Sequence, residues 1–225
     1  MGGRRSRPRP GVTVVANGLR EKILLEALKE VPFGGFSEET LRAAGKGAGA
    51  TLADVRRHFP RGGESLVEAF SRWADARMTE RMAGTDTARL RDRVAAAVRA
   101  RIEVMAAHKE AARRAAAFLA LPQNAPLAVR CLFATVDAIW RAAGDKTSDF
   151  NYYTKRALLA GVYGSTLFYW LSDSSEDNAD SWAFLDARIE DVMRIQKARG
   201  ELERAAAALP DPFGILAALR KMRAH

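Results

Sequence analysis

A chain of 225 residues is long enough to bury a sizeable core and to form one or two domains. Its net charge of +9 and its isoelectric point of about 10.1 favour a negatively charged partner, either nucleic acid or an anionic membrane surface. Cys131 is the single cysteine, which excludes an intramolecular disulfide and favours a reducing compartment. No stretch alternates with a period of two, so the pattern predicts an all-α protein.

The chain begins with a strongly basic segment. The first ten residues, "MGGRRSRPRP", hold four Arg and no acid, which is typical of a disordered tail and is assigned to residues 1–14. A phosphate-binding arm and a transit remnant are the alternatives. This segment lacks the apolar core of a secretory signal, and no window reaches the roughly 18 uncharged apolar residues of a spanning helix. We therefore expect a protein that is soluble or peripheral to a membrane.

Residues 15–63 are predicted to form a small head of three helices. Apolar residues at helical spacing predict a first helix over about 17–31, which Pro32 ends. Ser37 is positioned to cap the second helix and Thr51 the third. Gly-rich turns separate the three helices, so the segment is expected to fold as a helix-turn-helix unit.

Residues 64–208 are predicted to form a bundle of longer helices, because apolar residues recur with a helical period and the loops between them are short. A cap at Ser148 or Asp149 begins the fifth of these helices, and Gly200 is a candidate break in the sixth. The predicted helices cover about 64–82, 87–107, 110–121, 125–143, 149–171 and 179–208.

The stretch "ALLAGVYGSTLFYWL", residues 157–171, carries no charge on any side. Its 15 residues span about 22 Å as a helix, short of the roughly 30 Å hydrocarbon core of a membrane. A helix that is apolar on all sides is normally the centre of a bundle. Gly161 and Gly164 remove side-chain bulk from it, which allows close helix packing or leaves room for a ligand. Both interpretations stay open on the pattern alone.

Residues 36–70, "FSEETLRAAGKGAGATLADVRRHFPRGGESLVEAF", resemble the DNA-binding head of TetR-type regulators. Asp54 stands where those regulators usually have a hydroxyl, and a carboxylate there repels phosphate. Gly62 and Gly63 replace a Lys that often reaches the DNA backbone. We expect a retained scaffold that does not read DNA, with operator binding as the alternative. The head nevertheless keeps five basic residues: Arg42, Lys46, Arg56, Arg57 and Arg61.

The segment "GDKTSDFNYYTKRALLAGVYGSTLFYWLSDSSEDNADSWAFLDARIEDVM" resembles the Coq-nine family, and the likeness extends over most of residues 15–195. It is carried by the G-D-x-T-x-D-F-N run, the D-S-S motif and the W-x-F-L-x-x-R-I-x-D run. The resemblance implies a TetR-like fold and a non-catalytic, lipid-binding accessory protein of ubiquinone biosynthesis. It also implies an isoprenoid quinone or phospholipid ligand and, as partner, the di-iron hydroxylase that acts on demethoxyubiquinone. A homodimer is expected.

The same resemblance implies two sets of site residues. The hydroxylase-binding patch falls on Ile139, Trp140, Asp149, Tyr152 and Tyr153, and Tyr152 stands where the family often has Trp. The apolar lipid pocket would be lined by residues of the predicted helices 110–121, 125–143 and 149–171. These residues are Phe118, Leu132, Phe133, Val136, Leu158, Leu159, Val162, Tyr163, Leu167 and Trp170.

The C-terminal segment, residues 209–225, reads as a short basic amphipathic helix. Asp211 is a suitable cap and Pro212 suits the first helical position. Such a helix is suited to a membrane interface, and docking on its own body or on a second subunit is the alternative. The predicted membrane-contact residues are Phe213, Ile215, Leu216, Leu219, Lys221, Met222 and Arg223.

No catalytic motif is apparent in the sequence. The three histidines lie far apart, and neither a metal-binding spacing nor a Gly-rich phosphate loop occurs, so neither catalysis nor a cofactor is expected. The competing functional classes are a TetR-type DNA-binding regulator with a hydrophobic ligand and a purely structural dimer. The composition favours the bacterial cytoplasm, peripheral to the inner membrane, with the mitochondrial matrix face of the inner membrane as the alternative.

Overall fold

The computed structural model describes the backbone of residues 10–84, 89–144 and 152–207, with side chains described within 18–84, 89–144 and 153–195. These segments contain helices and no strand, which confirms the predicted all-α class. Single-turn helices at Ala106–His108, Pro122–Asn124 and Glu176–Asn178 link some of the longer ones. In chain order, α1 spans Pro10–Gly34, α2 Glu38–Gly47, α3 Leu52–His58, α4 Gly63–Met82, α5 Leu90–Glu103, α6 Lys109–Ala120, α7 Ala125–Ala142, α8 Tyr152–Ser172 and α9 Ala179–Ala207.

Both predicted caps of the head are present. The Ser37 hydroxyl accepts from the Thr40 amide at 3.2 Å and begins α2. The Thr51 hydroxyl accepts from the Asp54 amide at 3.2 Å, while Asp54 accepts from the Thr51 amide at 3.1 Å. The Thr51 hydroxyl also donates to the Asp54 carboxylate at 2.6 Å, and this bond, together with the one from the Thr51 amide, lowers the pKa of the Asp54 carboxyl. Asp54 therefore completes a capping box at the start of α3, which explains a carboxylate at this position.

Several helix boundaries differ from the prediction. Helix α1 begins at Pro10, so residues 10–14 are helical and do not belong to the disordered tail that was predicted. Helix α5 is shorter than the predicted span of 87–107. The first helix continues through Pro32 to Gly34, because a proline in the last turn removes only one backbone donor. Gly35 ends it with a φ of +63°, a left-handed conformation that favours glycine. Likewise α9 runs through Gly200, whose intrinsic helix penalty of about 1 kcal/mol is small for a long helix. The predicted caps Ser148 and Asp149 lie outside the described residues.

The body packs around α4, α7 and α8. Helix α4 contacts α5 and α7, and α8 contacts α7 and α9. The head joins this body through the rings of Phe36 and Phe118, whose centres are 6.1 Å apart. Trp170 of α8 is fully buried, and the Lys109 ammonium lies 5.0 Å from its ring centre. Phe168 on the same helix is 62% exposed, so α8 buries only one side and is not the fully surrounded bundle centre that the sequence pattern suggested.

No single helix among the described residues is long and apolar enough to cross a membrane. The segments Leu90–Ala120 and Pro122–Ala142 reach the required length and composition only when they are taken together. They are bent by 92° at the break between them.

Asp173 connects the end of α8 to the start of α9. Its Oδ1 accepts from the Ser175 amide at 2.8 Å and from the Ser175 hydroxyl at 2.7 Å. Its Oδ2 accepts from the Ser181 amide at 2.9 Å and also from the Ser181 hydroxyl. These donors, the Ser181 hydroxyl foremost, hold the pKa of Asp173 well below its usual range. The D-S-S motif therefore fixes the turn between two body helices.

We expect Asp173→Asn to lower the Tm at neutral pH, because an amide group replaces one acceptor oxygen with a donor. A carboxyl whose pKa is lowered by folding stabilises the fold above its ordinary value of 3.8 and loses that contribution as the pH falls further. The Tm difference from the wild type should therefore shrink below that pH. Circular dichroism melts between about pH 7 and about pH 2 measure it, with the exposed Asp186→Asn as control. A difference independent of pH contradicts the assignment.

Candidate ligand-binding site

The body encloses an apolar cavity of about 260 Å³ between helices α4, α5, α6, α7 and α8. We call it the inner cavity. Among its lining residues Arg101 is buried and Phe168 is 62% exposed, from which we infer that the cavity is closed beside Arg101 and open beside Phe168. Its walls include Phe70, Met105, Ala115, Leu132, Gly164 and Leu167.

A buried ion pair stands at the closed end. Arg101 Nε donates to Asp75 Oδ1 at 2.6 Å, and the Thr135 hydroxyl donates to the same oxygen at 2.9 Å. The Arg101 guanidinium carbon lies 5.7 Å from the centre of the Tyr163 ring. Burial opposes the charge of Arg101, but electrostatic attraction by its neighbours and the hydrogen bond to Asp75 outweigh it and raise the pKa of Arg101. The apolar cavity therefore ends at a permanently charged guanidinium that is paired with Asp75.

A second apolar space of about 230 Å³, the outer groove, lies on another side of α8. It is formed where the start of α5 and the end of α7 meet α8 and α9. Trp140 lines it, and the indole N–H of Trp140 is buried without a hydrogen-bond partner in the described part of the chain. Its remaining walls include Val94, Leu158, Leu159, Val162, Ile189 and Val192.

The predicted lipid-pocket residues divide into several groups. Leu132, Tyr163 and Leu167 line the inner cavity, whereas Leu158, Leu159 and Val162 line the outer groove. This division follows from helix geometry, because successive α8 residues point to different sides. The other four lie elsewhere: Val136 and Trp170 in the core, Phe133 exposed on α7, and Phe118 half-buried against Phe36.

Two residues of the predicted hydroxylase-binding patch have different surroundings, although they are neighbours in sequence. Ile139 is fully buried in the core, and Trp140 faces the outer groove. Tyr153, at the start of α8, is 79% exposed. Asp149 and the side chain of Tyr152 lie outside the described residues. Of the patch residues whose side chains the structure describes, Tyr153 is therefore the most exposed.

An ion pair fixes the start of α8 beside α7. Arg156 Nη2 donates to Asp137 Oδ1 at 2.6 Å, and its Nε donates to the same oxygen at 3.1 Å. Arg156 is largely buried, so this pair holds the exposed Tyr153 in a defined position relative to the outer groove. The predicted membrane-contact residues of 209–225 lie outside the described residues.

Part of the basic charge of the head is neutralised internally. Arg61 pairs with Glu68 at 2.7 Å and with Glu64 at 3.2 Å. Arg57 lies 3.7 Å from the Asp54 carboxylate. These pairs reduce the positive potential that a phosphate backbone would meet at α3 and the turn after it.

The charged end of the inner cavity was not predicted from the sequence. Asp75 lies on α4 and Arg101 on α5, and single charged residues within helices usually mark a solvated face. The only available signal was the apolar residues on both sides of Arg101 at helical spacing. Within the described segments, no group of three His, Cys, Asp or Glu side chains is arranged to hold a metal ion.

A three-helix head on a helical body with an apolar cavity defines a TetR-like fold. The crystal structure of the TetR transcriptional regulator from Nitrosomonas europaea ATCC 19718 is similar, with a TM-score of 0.60 at 19% sequence identity. The similarity covers 77% of this chain and 97% of that one. At this level of identity the likeness shows the fold alone, and it confirms the TetR-like bundle predicted from the sequence.

Proteins with similar sequences identify the family of this chain. Residues 125–196 match the family model described as COQ9. The ubiquinone biosynthesis protein COQ9, mitochondrial, of Rattus norvegicus is 32% identical over 200 residues, covering 85% of this chain and 64% of that protein. Its Homo sapiens counterpart is 31% identical over 85% of this chain and 63% of its own length. That of Xenopus tropicalis is 35% identical, with coverages of 78% and 58%.

The chain therefore belongs to the COQ9 family, which confirms the resemblance found in its sequence. It spans less than two thirds of the length of these curated relatives.

Proposed function

We propose that the chain acts in ubiquinone biosynthesis as a non-catalytic, lipid-binding accessory protein. It binds an isoprenoid quinone intermediate and presents it to the di-iron demethoxyubiquinone hydroxylase. The observation that carries this proposal is the inner cavity, which is apolar along its walls and open at one end. The names of the relatives support the pathway, since they are called ubiquinone biosynthesis proteins.

The size of the inner cavity limits what it holds. Sites that enclose a whole drug-sized ligand measure about 300–1,000 Å³. At about 260 Å³, the inner cavity accommodates one end of a long ligand, while the remainder extends through the mouth past Phe168. Burial of apolar ligand surface stabilises the complex by about 25 cal/mol per Å². A polyisoprenoid molecule thus gains affinity from the walls in proportion to the length that it inserts.

The remaining parts of the proposal concern the surroundings of the protein. The net charge of +9 supports contact with an anionic membrane, for which we propose residues 209–225, and a homodimer is also proposed. The relatives are named mitochondrial, which supports the matrix face of the inner mitochondrial membrane, the alternative location predicted from the sequence. The bacterial cytoplasm is the other proposed location.

Two glycines of α8 offer a matched test of the inner cavity. A Cβ atom added at either Gly161 or Gly164 would meet no atom within 4 Å, yet only Gly164 lines the cavity. Each Gly→Leu change also raises helix propensity by up to about 1 kcal/mol. We therefore expect Gly164→Leu to fold normally but to lose most of the lipid that co-purifies with the wild type. Gly161→Leu is expected to keep it.

The measurement is organic extraction of the natively purified protein followed by mass spectrometry, with the molar ratio of lipid to protein as the readout. Leu167→Asp, which places a charge in the wall of the inner cavity, is expected to empty the protein as well. Wild-type protein that contains no isoprenoid or phospholipid would contradict the proposal. If Gly164→Leu keeps as much lipid as Gly161→Leu and the wild type, the lipid lies outside the inner cavity.

A further inference from the structure

The guanidinium of Arg101 is unusual for a site that binds only hydrocarbon. The residue is 2% exposed and lines the inner cavity. A buried arginine is normally matched by good acceptors, because an unpaired donor in the interior costs free energy. Whether its N–H groups are fully used by the protein therefore decides whether they are available to a ligand.

The contacts of Arg101 leave donor capacity unused. Its Nε makes a short hydrogen bond to Asp75, but its Nη2 reaches the Ser71 carbonyl and hydroxyl at 3.3 Å and the Thr135 hydroxyl at 3.5 Å. Its Nη1 meets the Met105 sulfur at 2.9 Å, and a thioether is a weak acceptor. Hydrogen bonds of N–H to oxygen normally fall within about 2.7–3.2 Å. Among the described residues, the two Nη groups thus have only long or weak acceptors.

We propose that Arg101 donates a hydrogen bond to the end of the ligand that enters the cavity first. This end carries an oxygen acceptor such as a quinone carbonyl. This inference rests on the proposed function and adds to it an orientation of the ligand and the residue that recognises its head. The polar head enters first and accepts a hydrogen bond from Nη1 or Nη2, while the isoprenoid tail points to the mouth near Phe168. Asp75 is then a positioning residue, because its bond to Nε fixes the plane of the guanidinium.

The opposite orientation fits the site less well. A hydrocarbon tail at the closed end would leave the Nη groups with only their long or weak acceptors, whereas a ligand oxygen there would supply a better one. Tyr163 adds to the polarity of this end. Burial raises the pKa of its hydroxyl, so the group stays protonated and is a further neutral donor in the cavity wall. Both groups favour a ligand with an oxygen at its inserted end.

Two probes of similar length separate this proposal from simple hydrophobic binding. Decyl-benzoquinone carries carbonyl acceptors on its ring, and decylbenzene carries none. We expect wild-type protein, freed of co-purified lipid, to bind the quinone roughly tenfold or more tightly, as a hydrogen bond to a charged donor provides. Competition with a fluorescent fatty acid measures both affinities. Equal affinities overturn the role of Arg101 but leave a lipid-binding cavity. If neither probe binds, the proposed function fails as well.

The double variant Asp75→Leu/Arg101→Met assigns the preference to this pair. Replacing a buried ion pair by apolar residues of similar volume is often neutral for stability, so the variant is expected to fold. It should keep its affinity for decylbenzene and lose the preference for the quinone. A preference that persists places the acceptor elsewhere and overturns the assignment.

A measurement on the wild type alone covers the case in which the double variant does not fold. Infrared difference spectra of bound decyl-benzoquinone report the carbonyl stretch directly. A hydrogen bond from a guanidinium shifts this band to lower wavenumber relative to the quinone in alkane solvent. An unshifted carbonyl band would show that the head does not reach Arg101, and it would overturn the head-first orientation.

Discussion

Replacing Asp75 with leucine is expected to lower the free energy of unfolding by about 3–5 kcal/mol. The substitution removes the carboxylate that lies 2.6 Å from Arg101 Nε and leaves the guanidinium in the interior without its counter-charge. Arginine cannot escape this penalty by losing its proton, because its pKa is too high. Thr135 loses its acceptor at the same time. The effect should therefore exceed that of an ordinary core substitution.

Urea unfolding followed by circular dichroism gives the free energy, provided that the slope with denaturant is unchanged. Glu80→Gln is the matched control, since it removes one carboxylate from an exposed ion pair with Arg77, and such pairs contribute about 0–1 kcal/mol. Combining Asp75→Leu with Arg101→Met should restore most of the lost stability. A single variant as stable as the control would show that the pair does not hold α4 and α5 together.

This ion pair also marks the limit of what the sequence predicts. The caps at Ser37 and Thr51 are local, because each hydroxyl bonds an amide three residues further on, and both were predicted correctly. Asp75 and Arg101 are 26 residues apart and on different helices. Nothing within either helix reveals that the two side chains meet inside the body. Contacts of this kind depend on how helices pack, and the helical period alone does not specify packing.

The predicted sites show the same limit. The uncharged stretch 157–171 of α8 was expected to be the centre of the bundle, but one side of it is exposed at Phe168 and Tyr169. The pattern also could not tell which wall each buried residue faces. Leu159 lines the outer groove and Leu167 lines the inner cavity, although both were assigned to one pocket. Ile139 and Trp140 were grouped by resemblance to the family, yet a helix turns by about 100° between neighbours. One is buried in the core as a result, and the other faces the outer groove.

We expect Tyr153→Asp to weaken binding to the di-iron demethoxyubiquinone hydroxylase by at least about tenfold. Aromatic side chains at interface centres often contribute 2 kcal/mol or more, and a carboxylate in their place adds the cost of desolvating a charge. Tyr153 is 79% exposed, so its removal should leave the fold intact. Surface plasmon resonance with immobilised hydroxylase measures the affinity, and thermal unfolding verifies the fold.

Thr154→Asp is the matched control, since Thr154 is also exposed on the first turn of α8 but points about 100° away from Tyr153. It introduces the same charge one residue further along, so general electrostatic repulsion should affect both variants alike. A specific contact through the Tyr153 ring predicts a loss for Tyr153→Asp alone. Equal losses would attribute the effect to charge, and unchanged affinity in both variants would remove Tyr153 from the interface. Because Trp140 lines the outer groove and Ile139 is buried, substitutions there change packing as well as docking, so Tyr153 gives the cleaner test.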